Sequence, residues 1–385
     1  MAPAVLPLAV YLHFPWCVRK CPYCDFNSHA LRGEVPEADY VAALLRDLDH
    51  ELAQRPEPRE VVSVFLGGGT PSLFSGAAIG AVLEGLSQRL RLVSEVEITL
   101  EANPGTTDEG HFRDYRAAGV NRLSLGVQSL DGEQLRKLGR IHDAAAVGRA
   151  VRAARAAGFE RLNLDLMFAL PGQTLAAAEA DLAAALAFEP EHLSYYQLTL
   201  EPNTEFAARP PLLPDDDSAW AIQEAGQARL AAAGYAQYEV SAYARPGQRC
   251  RHNQVYWTFG DYLGLGAGAH GKRSFWREGE WVIERRARHK HPRGYLGAAG
   301  SEAAVQESRE IPAAERPFEY LMNALRLHEG FDLAHYEAAT GLPRASLAPG
   351  LAAAGQQGLV EIVGEQVRAS LRGRQYLNAL LRLFL

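Results

Sequence analysis

The chain has 385 residues, of which 48% are hydrophobic and 22% charged, a balance typical of a folded protein with one or two domains. Its formal charge of −7 argues against broad nucleic-acid binding, which needs a basic face. No window approaches 18 uninterrupted apolar residues, and no Lys or Arg precedes the first apolar stretch, so we expect neither a membrane span nor a signal peptide. The expected compartment is the cytoplasm.

Strand-like runs alternate with helical segments over the first two thirds of the chain. In chain order the runs are 8–14, 61–70, 95–104, 121–129, 161–172 and 192–202, with a weaker one at 235–244. Between them, segments such as 38–54, 77–91, 143–157 and 175–187 are rich in Ala and Leu and carry apolar residues at helical spacing. This alternation predicts βαβ units and an α/β fold around a parallel sheet.

The number of units favours a full or partial (β/α) barrel over residues 1–245, and a doubly wound open sheet is the alternative. In either fold, functional side chains collect at the carboxyl ends of the strands. Unusual residues stand at those ends: cysteines after the first run, "GGGT" after the second, and Glu101 and Asn103 at the end of the third.

Three cysteines crowd the segment "CVRKCPYC", at positions 17, 21 and 24. Thiolates on one tight loop suit a soft metal centre, either zinc or an iron–sulfur cluster. A structural zinc would need a fourth ligand, but His13 lies on the predicted strand and Cys250 is distant in sequence. In a chain with four cysteines and no export signal, this crowding indicates metal binding before disulfides.

The spacing C-x3-C-x2-C after a first barrel strand resembles the radical S-adenosylmethionine (SAM) superfamily. The resemblance implies that Cys17, Cys21 and Cys24 hold a [4Fe–4S] cluster whose fourth iron is open to the amino and carboxylate groups of SAM. The longer segment "YLHFPWCVRKCPYC" resembles the oxygen-independent coproporphyrinogen III oxidase-like branch of that superfamily. This implies that Tyr11 and Tyr23 lie against SAM, the alternative being that both are core tyrosines.

Further polar positions match the SAM-lining residues of the same branch. The glycines of "GGGTP" let backbone approach a small ligand closely, which provides acceptors for the SAM ammonium. The matching residues are Gly68, Gly69, Thr70, Glu101, Gln128, Arg140 and Asp165. Gln128 and Asp165 interrupt otherwise apolar strands, so the alternative is that they hydrogen-bond inside the barrel core. Whether a second SAM binds is left open.

The chain changes character after residue 245. Residues 246–310 are first rich in Gly and aromatic residues and then charged with little periodicity, which predicts a connecting segment. From about residue 311 the pattern is helical again, and helices followed by the hairpin-like "LVEIVGEQVRAS" resemble a small winged-helix-type domain. We therefore predict a mostly helical C-terminal domain over 311–385.

The resemblance covers nearly the whole chain, yet two features depart from the oxidase. Only ten residues precede Tyr11, and Phe26 stands where the oxidase has a fourth cysteine. The motif H-N-x-x-Y-W in "RHNQVYW" is instead characteristic of the haem chaperones called HemW. It implies that the segment 246–310 contains the haem site. The haem ligand there would be His252, since a neutral imidazole is a standard axial ligand, with Tyr256 and Trp257 stacking on the macrocycle.

Other potential haem ligands are weaker. Cys250 is predicted to be an inert buried thiol, the alternative being a thiolate ligand of haem. His270, in the Gly-rich turn, is a candidate second ligand. His289 and His291 are predicted to lie in a solvated basic loop.

The sequence therefore predicts a radical SAM haem carrier with a [4Fe–4S] cluster, SAM and haem, serving apo-haemoproteins that include membrane-bound respiratory enzymes. The alternative is coproporphyrinogen III oxidase, in which a radical formed from SAM decarboxylates propionates. A zinc-stabilised tRNA-binding protein fits poorly with the acidic charge. Peripheral membrane contact and a homodimer are compatible with the carrier reading. The residues leave open whether SAM is cleaved or only bound, so they do not decide whether the chain is an enzyme.

Overall fold

A computed structural model describes residues 6–105 and 109–385 of the chain; residues 1–5, on which part of the export prediction falls, lie outside the described residues. The strands are β1 (Leu8–Phe14), β2 (Trp16–Cys17), β3 (His29–Ala30), β4 (Glu60–Gly68), β5 (Arg91–Ala102), β6 (Arg122–Gln128), β7 (Leu162–Phe168), β8 (His192–Gln197), β9 (Ala236–Gln237), β10 (Ala242–Ala244), β11 (Asp261–Leu265), β12 (His270–Arg277), β13 (Glu280–Arg288), β14 (Val305–Glu310), β15 (Phe331–Asp332), β16 (Val360–Val363) and β17 (Gln366–Ala369). The α-helices are α1 (Glu37–Gln54), α2 (Gly76–Ser87), α3 (Glu109–Ala117), α4 (Gly132–Lys137), α5 (Ala144–Ala156), α6 (Leu175–Leu186), α7 (Glu205–Ala208), α8 (Asp216–Ala232), α9 (Arg251–Trp257), α10 (Pro292–Ala298), α11 (Arg316–Ala324), α12 (Leu333–Thr340), α13 (Ala348–Gln356), α14 (Leu371–Gln375) and α15 (Leu377–Leu381).

Six parallel strands form the centre of one large sheet. They lie in the order β1-β4-β5-β6-β7-β8, which is also their order along the chain. Right-handed crossovers between strands that always advance in one direction put the connecting helices on one side of the sheet. A doubly wound sheet would reverse its strand order instead. The partial barrel predicted from the sequence is therefore confirmed.

Local sequence explains why these elements form where they do. All seven residues of β6, "RLSLGVQ", are buried, as expected of a central parallel strand with both faces covered. Several helices begin at a side chain that accepts a backbone N–H: Ser75 before α2, Asp143 before α5 and Thr174 before α6. These caps satisfy donors that the first turn leaves unpaired.

The charged segment 277–310 is not an irregular connection. It forms β13 and β14, which extend an antiparallel ladder from β11 through β12 at the outer edge of β1. Arg288 in β13 donates to Asp47 and Glu51 of α1 at 2.9 and 2.8 Å, so its charge is paired inside the protein. The weak run 235–244 likewise divides into two short strands, β9 and β10, that pair with each other.

The last part of the chain combines helices α11 to α13 with a small antiparallel sheet in the order β15-β17-β16. This matches the predicted winged-helix-like architecture. Its apolar core continues into the large sheet, because Tyr320 and Leu321 pack in one cluster with Phe259 and Ile283. The boundaries at residues 245 and 310 remain predictions.

The described part of the chain has no helix with the length and apolar character needed to cross a bilayer.

Candidate functional site

A cavity of about 450 Å³, here called the first cavity, opens at the carboxyl ends of the parallel strands. It brings together most of the residues that the sequence marked for the cluster and for SAM. They are Cys17, Cys21, Cys24, Tyr23, Gly68, Gly69, Thr70, Glu101, Gln128, Arg140 and Asp165. Residues separated by up to 148 positions thus share one wall, because parallel strands present their carboxyl ends on the same edge.

Each of the three cysteine sulfurs has its own polar neighbour. Two of these neighbours come from distant parts of the chain and one from the cysteine loop itself. Thr70 Oγ1 donates to Cys17 Sγ at 3.5 Å, and an Arg140 guanidinium N–H donates to Cys21 Sγ at 3.6 Å. Cys24 Sγ lies 3.9 Å from Ser28 Oγ. Such donors favour thiolates, and they oppose the burial that raises the pKa of Cys17.

Three thiols without a fourth protein ligand match the donor set of a four-iron cluster better than that of a structural zinc ion. Within residues 6–105 and 109–385, no three His, Cys, Asp or Glu side chains converge tightly enough to hold one metal ion. Zinc would need four ligands around one point. A [4Fe–4S] cluster takes each thiolate on a different iron, so its ligands stand further apart. The donor set of three cysteines is therefore compatible with the cluster.

The "GGGT" turn packs directly on the chain that leads into the cysteine loop. Gly69 N–H donates to Phe14 O, and Thr70 N–H to Trp16 O, both at 2.7 Å. A Cβ at Gly69 would lie 2.6 Å from Trp16 O. Gly68 has φ +106°, a conformation that glycine adopts without strain. The glycines thus allow the turn after β4 to approach the cluster loop.

Glu101 lies near the carboxyl end of β5 as a half-buried residue whose carboxyl group is shielded from solvent. Gly68 N–H donates to its Oε2 at 3.1 Å. Burial, together with the neighbouring Asp165 carboxyl, raises the pKa of Glu101 to about 8. In the described residues no Lys, Arg or His forms a salt bridge with this group. A buried carboxyl without a cation suits a ligand that brings one, such as the SAM ammonium.

Gln128 and Asp165 both face the cavity and hydrogen-bond to the barrel wall. Gln128 has φ +68°, which is rare outside glycine, and its Oε1 accepts from the Tyr196 hydroxyl at 2.6 Å. Asp165 accepts from Asn163 at 2.8 Å and Ser124 at 3.3 Å. These hydrogen bonds are the ones expected if both residues only stabilise the barrel core. Both residues also line the first cavity, so they can contact a ligand there while keeping these hydrogen bonds.

Arg140 spans the distance from the cysteine loop to the end of β6. Besides Cys21, its guanidinium donates to Gly126 O at 2.6 Å and to Asn103 Oδ1. Asn103 in turn donates to Thr70 Oγ1 at 3.1 Å. This chain of contacts connects three strand ends with one another and holds a cation beside the thiols.

From the sequence, several residues that line the first cavity were given no role in binding the cluster or SAM. They are Asn103, Ser124, Ser194 and Tyr196. Asn103 stands in "EANPG", at a strand end where a polar side chain is informative. Strand alternation places Ser194 and Tyr196 on one face and Leu193 and Tyr195 on the other, and two adjacent tyrosines do not show by themselves which face borders the cavity.

Tyr11 and His252 do not line the first cavity. Tyr11 lies in the wall of an adjoining space of about 590 Å³, here called the second cavity. Gly68 and Glu101 line both cavities, so the two are neighbours across one shared wall. Tyr256 and Tyr262 contribute aromatic faces to the second cavity, and His270 lies at its edge.

His252 is buried in the first turn of α9, beneath the second cavity. Its Nδ1 is 3.1 Å from Ser63 Oγ, and its Nε2 is 2.9 Å from the Tyr256 hydroxyl. Burial, together with the Arg122 guanidinium, lowers the pKa of His252 to about 3, so the ring is neutral. Both ring nitrogens are engaged in this conformation, and haem ligation by His252 stays a prediction.

The other haem-site candidates from the sequence, Trp257, Cys250 and His270, lie in different surroundings. Trp257 lies away from the second cavity, with the Arg326 guanidinium 4.2 Å above its ring. Cys250 is buried, and its Sγ lies 3.5 Å from Glu97 Oε1. His270 is exposed, and burial of part of its ring, with the cations of Lys290 and Arg285, lowers its pKa.

Comparison with known proteins agrees with this site. Residues 11–185 match the Radical SAM superfamily, and residues 311–376 match the HemN C-terminal domain. Membership of that superfamily implies SAM and a [4Fe–4S] cluster. Coproporphyrinogen III oxidase (HemN) from Escherichia coli shares the fold, with a TM-score of 0.82 at 24% identity over 99% of this chain and 90% of that chain.

Curated relatives with much higher identity carry a different name. The chain is 50% identical to "Heme chaperone HemW" of Escherichia coli (strain K12) over 379 residues, 98% of both chains. It is 46% identical to the protein of the same name from Haemophilus influenzae, over 100% of this chain and 99% of that one. The chain therefore belongs to the heme chaperone HemW family of radical SAM proteins.

Proposed function

We propose that this protein is a haem carrier that binds haem and delivers it to apo-haemoproteins, with respiratory enzymes among its clients. The observation that carries the proposal is the pair of adjoining cavities. One contains the cysteines and the predicted SAM residues, and the other offers about 590 Å³ beside it. Cofactors and cargo would thus have separate spaces, and the names of the relatives at 50% and 46% identity support haem as the cargo.

The first cavity has the side chains that both cofactors need. Cys17, Cys21 and Cys24 would hold the cluster, and Thr70 and Arg140 would hydrogen-bond to its sulfur ligands. The remaining residues proposed for SAM are Tyr23, Gly68, Gly69, Glu101, Gln128 and Asp165, with Tyr11 on the far side of the shared wall. When bound, cluster and SAM supply one-electron radical chemistry.

The H-N-x-x-Y-W motif contributes to the wall of the second cavity. His252 hydrogen-bonds to Tyr256, and Tyr256 lines that cavity. We propose that His252 supports the haem site there. Direct ligation by His252 would require its imidazole to give up the hydrogen bond to Ser63 or the one to Tyr256.

The test is a haemin titration of anaerobically purified protein with an intact cluster, followed by mixing with an apo-haemoprotein. We expect a stoichiometric Soret shift and then the spectrum of the reconstituted client. Free haemin at the same concentration is the control for spontaneous transfer. A wild-type protein that does not bind haemin would refute the carrier function.

The oxidase alternative has its own assay. Reduced protein with SAM and coproporphyrinogen III should form no protoporphyrinogen IX if the chain is a carrier. Accumulation of that product would make the chain an enzyme of the oxidase type, whether or not haemin also binds.

A further inference from the structure

We propose that the second cavity is the haem-binding site and that His270 is the side chain that ligates the haem iron. This inference rests on the proposed carrier function and adds to it the location of the haem and the identity of the ligand. The cavity volume of about 590 Å³ falls within the range of roughly 300–1,000 Å³ typical of small-molecule sites.

The other imidazoles around the cavity are already engaged. His13 is 3.0 Å from the Tyr11 hydroxyl through Nδ1 and 2.8 Å from Asn27 O through Nε2. His29 Nε2 is 3.2 Å from Lys290 O. A ligand has to offer a free lone pair. Both nitrogens of His13 are engaged, whereas His29 donates from Nε2 to Lys290 O and keeps only Nδ1 for a metal, on a ring held in the wall by that hydrogen bond.

His270 differs from all of them. It is exposed at the cavity edge, and within residues 6–105 and 109–385 its ring has no hydrogen-bond partner. A neutral imidazole with a free nitrogen is the standard protein ligand of haem iron. No backbone or side-chain contact has to break before His270 can bind a metal.

A rigid support holds His270 at this edge. It is the first residue of β12 and pairs with Ala287 of β13. The preceding turn lies close to the β1 side of the barrel, since a Cβ at Gly266 would be 2.4 Å from His13 O and one at Gly268 would be 2.2 Å from Asn27 Nδ2. Positive φ values of +103° and +82° at these two glycines permit that approach.

Aromatic rings and positive charges complete a site suited to haem. The rings of Tyr256 and Tyr262 pack edge to face, with their centroids 4.6 Å apart. Both residues line the cavity, where they offer apolar surface to a flat macrocycle. Lys20 and Lys290 are exposed lining residues that can pair with the two propionates, whereas the acidic lining residues Asp25 and Glu101 lie at the wall shared with the first cavity.

The experiment compares haemin with iron-free protoporphyrin IX, which has the same ring and propionates but no metal. His270→Ala should lose the Soret position of imidazole-ligated haem and regain it on addition of free imidazole. Its affinity for protoporphyrin IX should equal that of the wild type. His291→Ala, which alters an exposed histidine in the loop between β13 and α10 that does not line the cavity, is the matched control and should leave both titrations unchanged.

The His252→Gln variant shows whether His252 ligates the haem iron or only supports the cavity wall. If His252 supports the wall through Tyr256, this variant binds haemin more weakly but keeps the wild-type Soret position. An unchanged spectrum in His270→Ala would overturn the inference while leaving the carrier function intact. Failure of the wild type to bind haemin would overturn both. Iron and sulfide content measured in every variant shows that the cluster domain is folded.

Discussion

Glu101 is a half-buried acid with a desolvated carboxyl group, for which the described residues provide no salt bridge. The pKa of Glu101, about 8, lies above that of the same side chain in an unfolded chain, so the folded state holds the proton more tightly. The stability gained from this proton is complete below about pH 4.3 and is lost as the pH rises toward 8. A ligand cation next to the carboxylate would reverse this loss.

Replacing Glu101 by Gln should therefore stabilise the cofactor-free protein at pH 7.5. Wild type should lose up to about 1.4 kcal/mol of unfolding free energy per pH unit between pH 5 and 8 from this group, and Glu101→Gln should not. The same variant should bind SAM more weakly, because the ammonium loses its anionic partner. Thermal unfolding at several pH values and SAM titration measure both effects.

Glu84→Gln, which alters an exposed carboxyl on α2, is the control and should keep the wild-type pH dependence. Identical pH profiles for wild type and Glu101→Gln would contradict the expectation that Glu101 is protonated in the folded protein.

At the level of single residues, sequence reasoning found the cluster and SAM positions that stand in a recognisable motif. It did not assign Tyr196 and Ser194, because alternate residues of a strand point to opposite faces and a shift of one position exchanges them. It also could not anticipate that both nitrogens of His252 are engaged. Their partners Ser63 and Tyr256 come from another strand and from the next turn of the same helix.

Among the elements, the turn after β4 is the most sensitive to added volume. Gly69→Ala would put a methyl group 2.6 Å from Trp16 O and 2.8 Å from Phe14 O, both of which are backbone atoms. Relief of this overlap has to move the turn away from the cysteine loop, at a cost of about 1–3 kcal/mol. We expect a lower melting temperature and weaker SAM binding, measured on protein with matched iron content.

Gly80→Ala in α2 is the matched control. Its added methyl group would meet Ala118 Cβ at 3.7 Å, an ordinary contact, and Ala is favoured over Gly inside a helix by about 0.5–1 kcal/mol. This variant should be equal to or more stable than wild type. Equal behaviour of the two substitutions would show that the turn tolerates displacement.

The elements with clear periodicity were predictable, and those stabilised by distant charges were not. Strands β1 and β4 to β8 and the helices between them follow hydrophobic patterns in the local sequence. Strand β13 carries "EWVIERRAR", in which alternation is obscured by arginines. Arg288 is buried only because α1 provides two carboxylates from more than 230 positions away. No local pattern contains that information.

On the scale of the whole molecule, the C-terminal helices and the large sheet share apolar contacts. Tyr320 of α11 is fully buried, with its ring centroid 5.4 Å from that of Phe259 and 5.2 Å from that of Phe331. Phe259 precedes β11, which pairs directly with β1. Disruption of the C-terminal apolar core should therefore also lower the stability of the barrel.

Tyr320→Ala should lower the unfolding free energy by about 3–5 kcal/mol, as expected for removal of a large buried aromatic side chain. Cluster absorbance and intrinsic fluorescence should report the same lowered midpoint if the two parts unfold together. Met322→Ala, on an exposed face of the same helix, should change the midpoint little. Separate midpoints for the two probes would indicate independent units.

The shared wall of the two cavities has a thermodynamic consequence. Gly68 and Glu101 face both spaces, so an occupant of one space changes the surroundings of the other. Linkage requires that the factor by which bound SAM alters haem affinity equals the factor by which bound haem alters SAM affinity. If haem occupies the second cavity as proposed and interacts with SAM through this wall, the SAM supply would change how tightly the carrier holds haem, with no need to consume SAM.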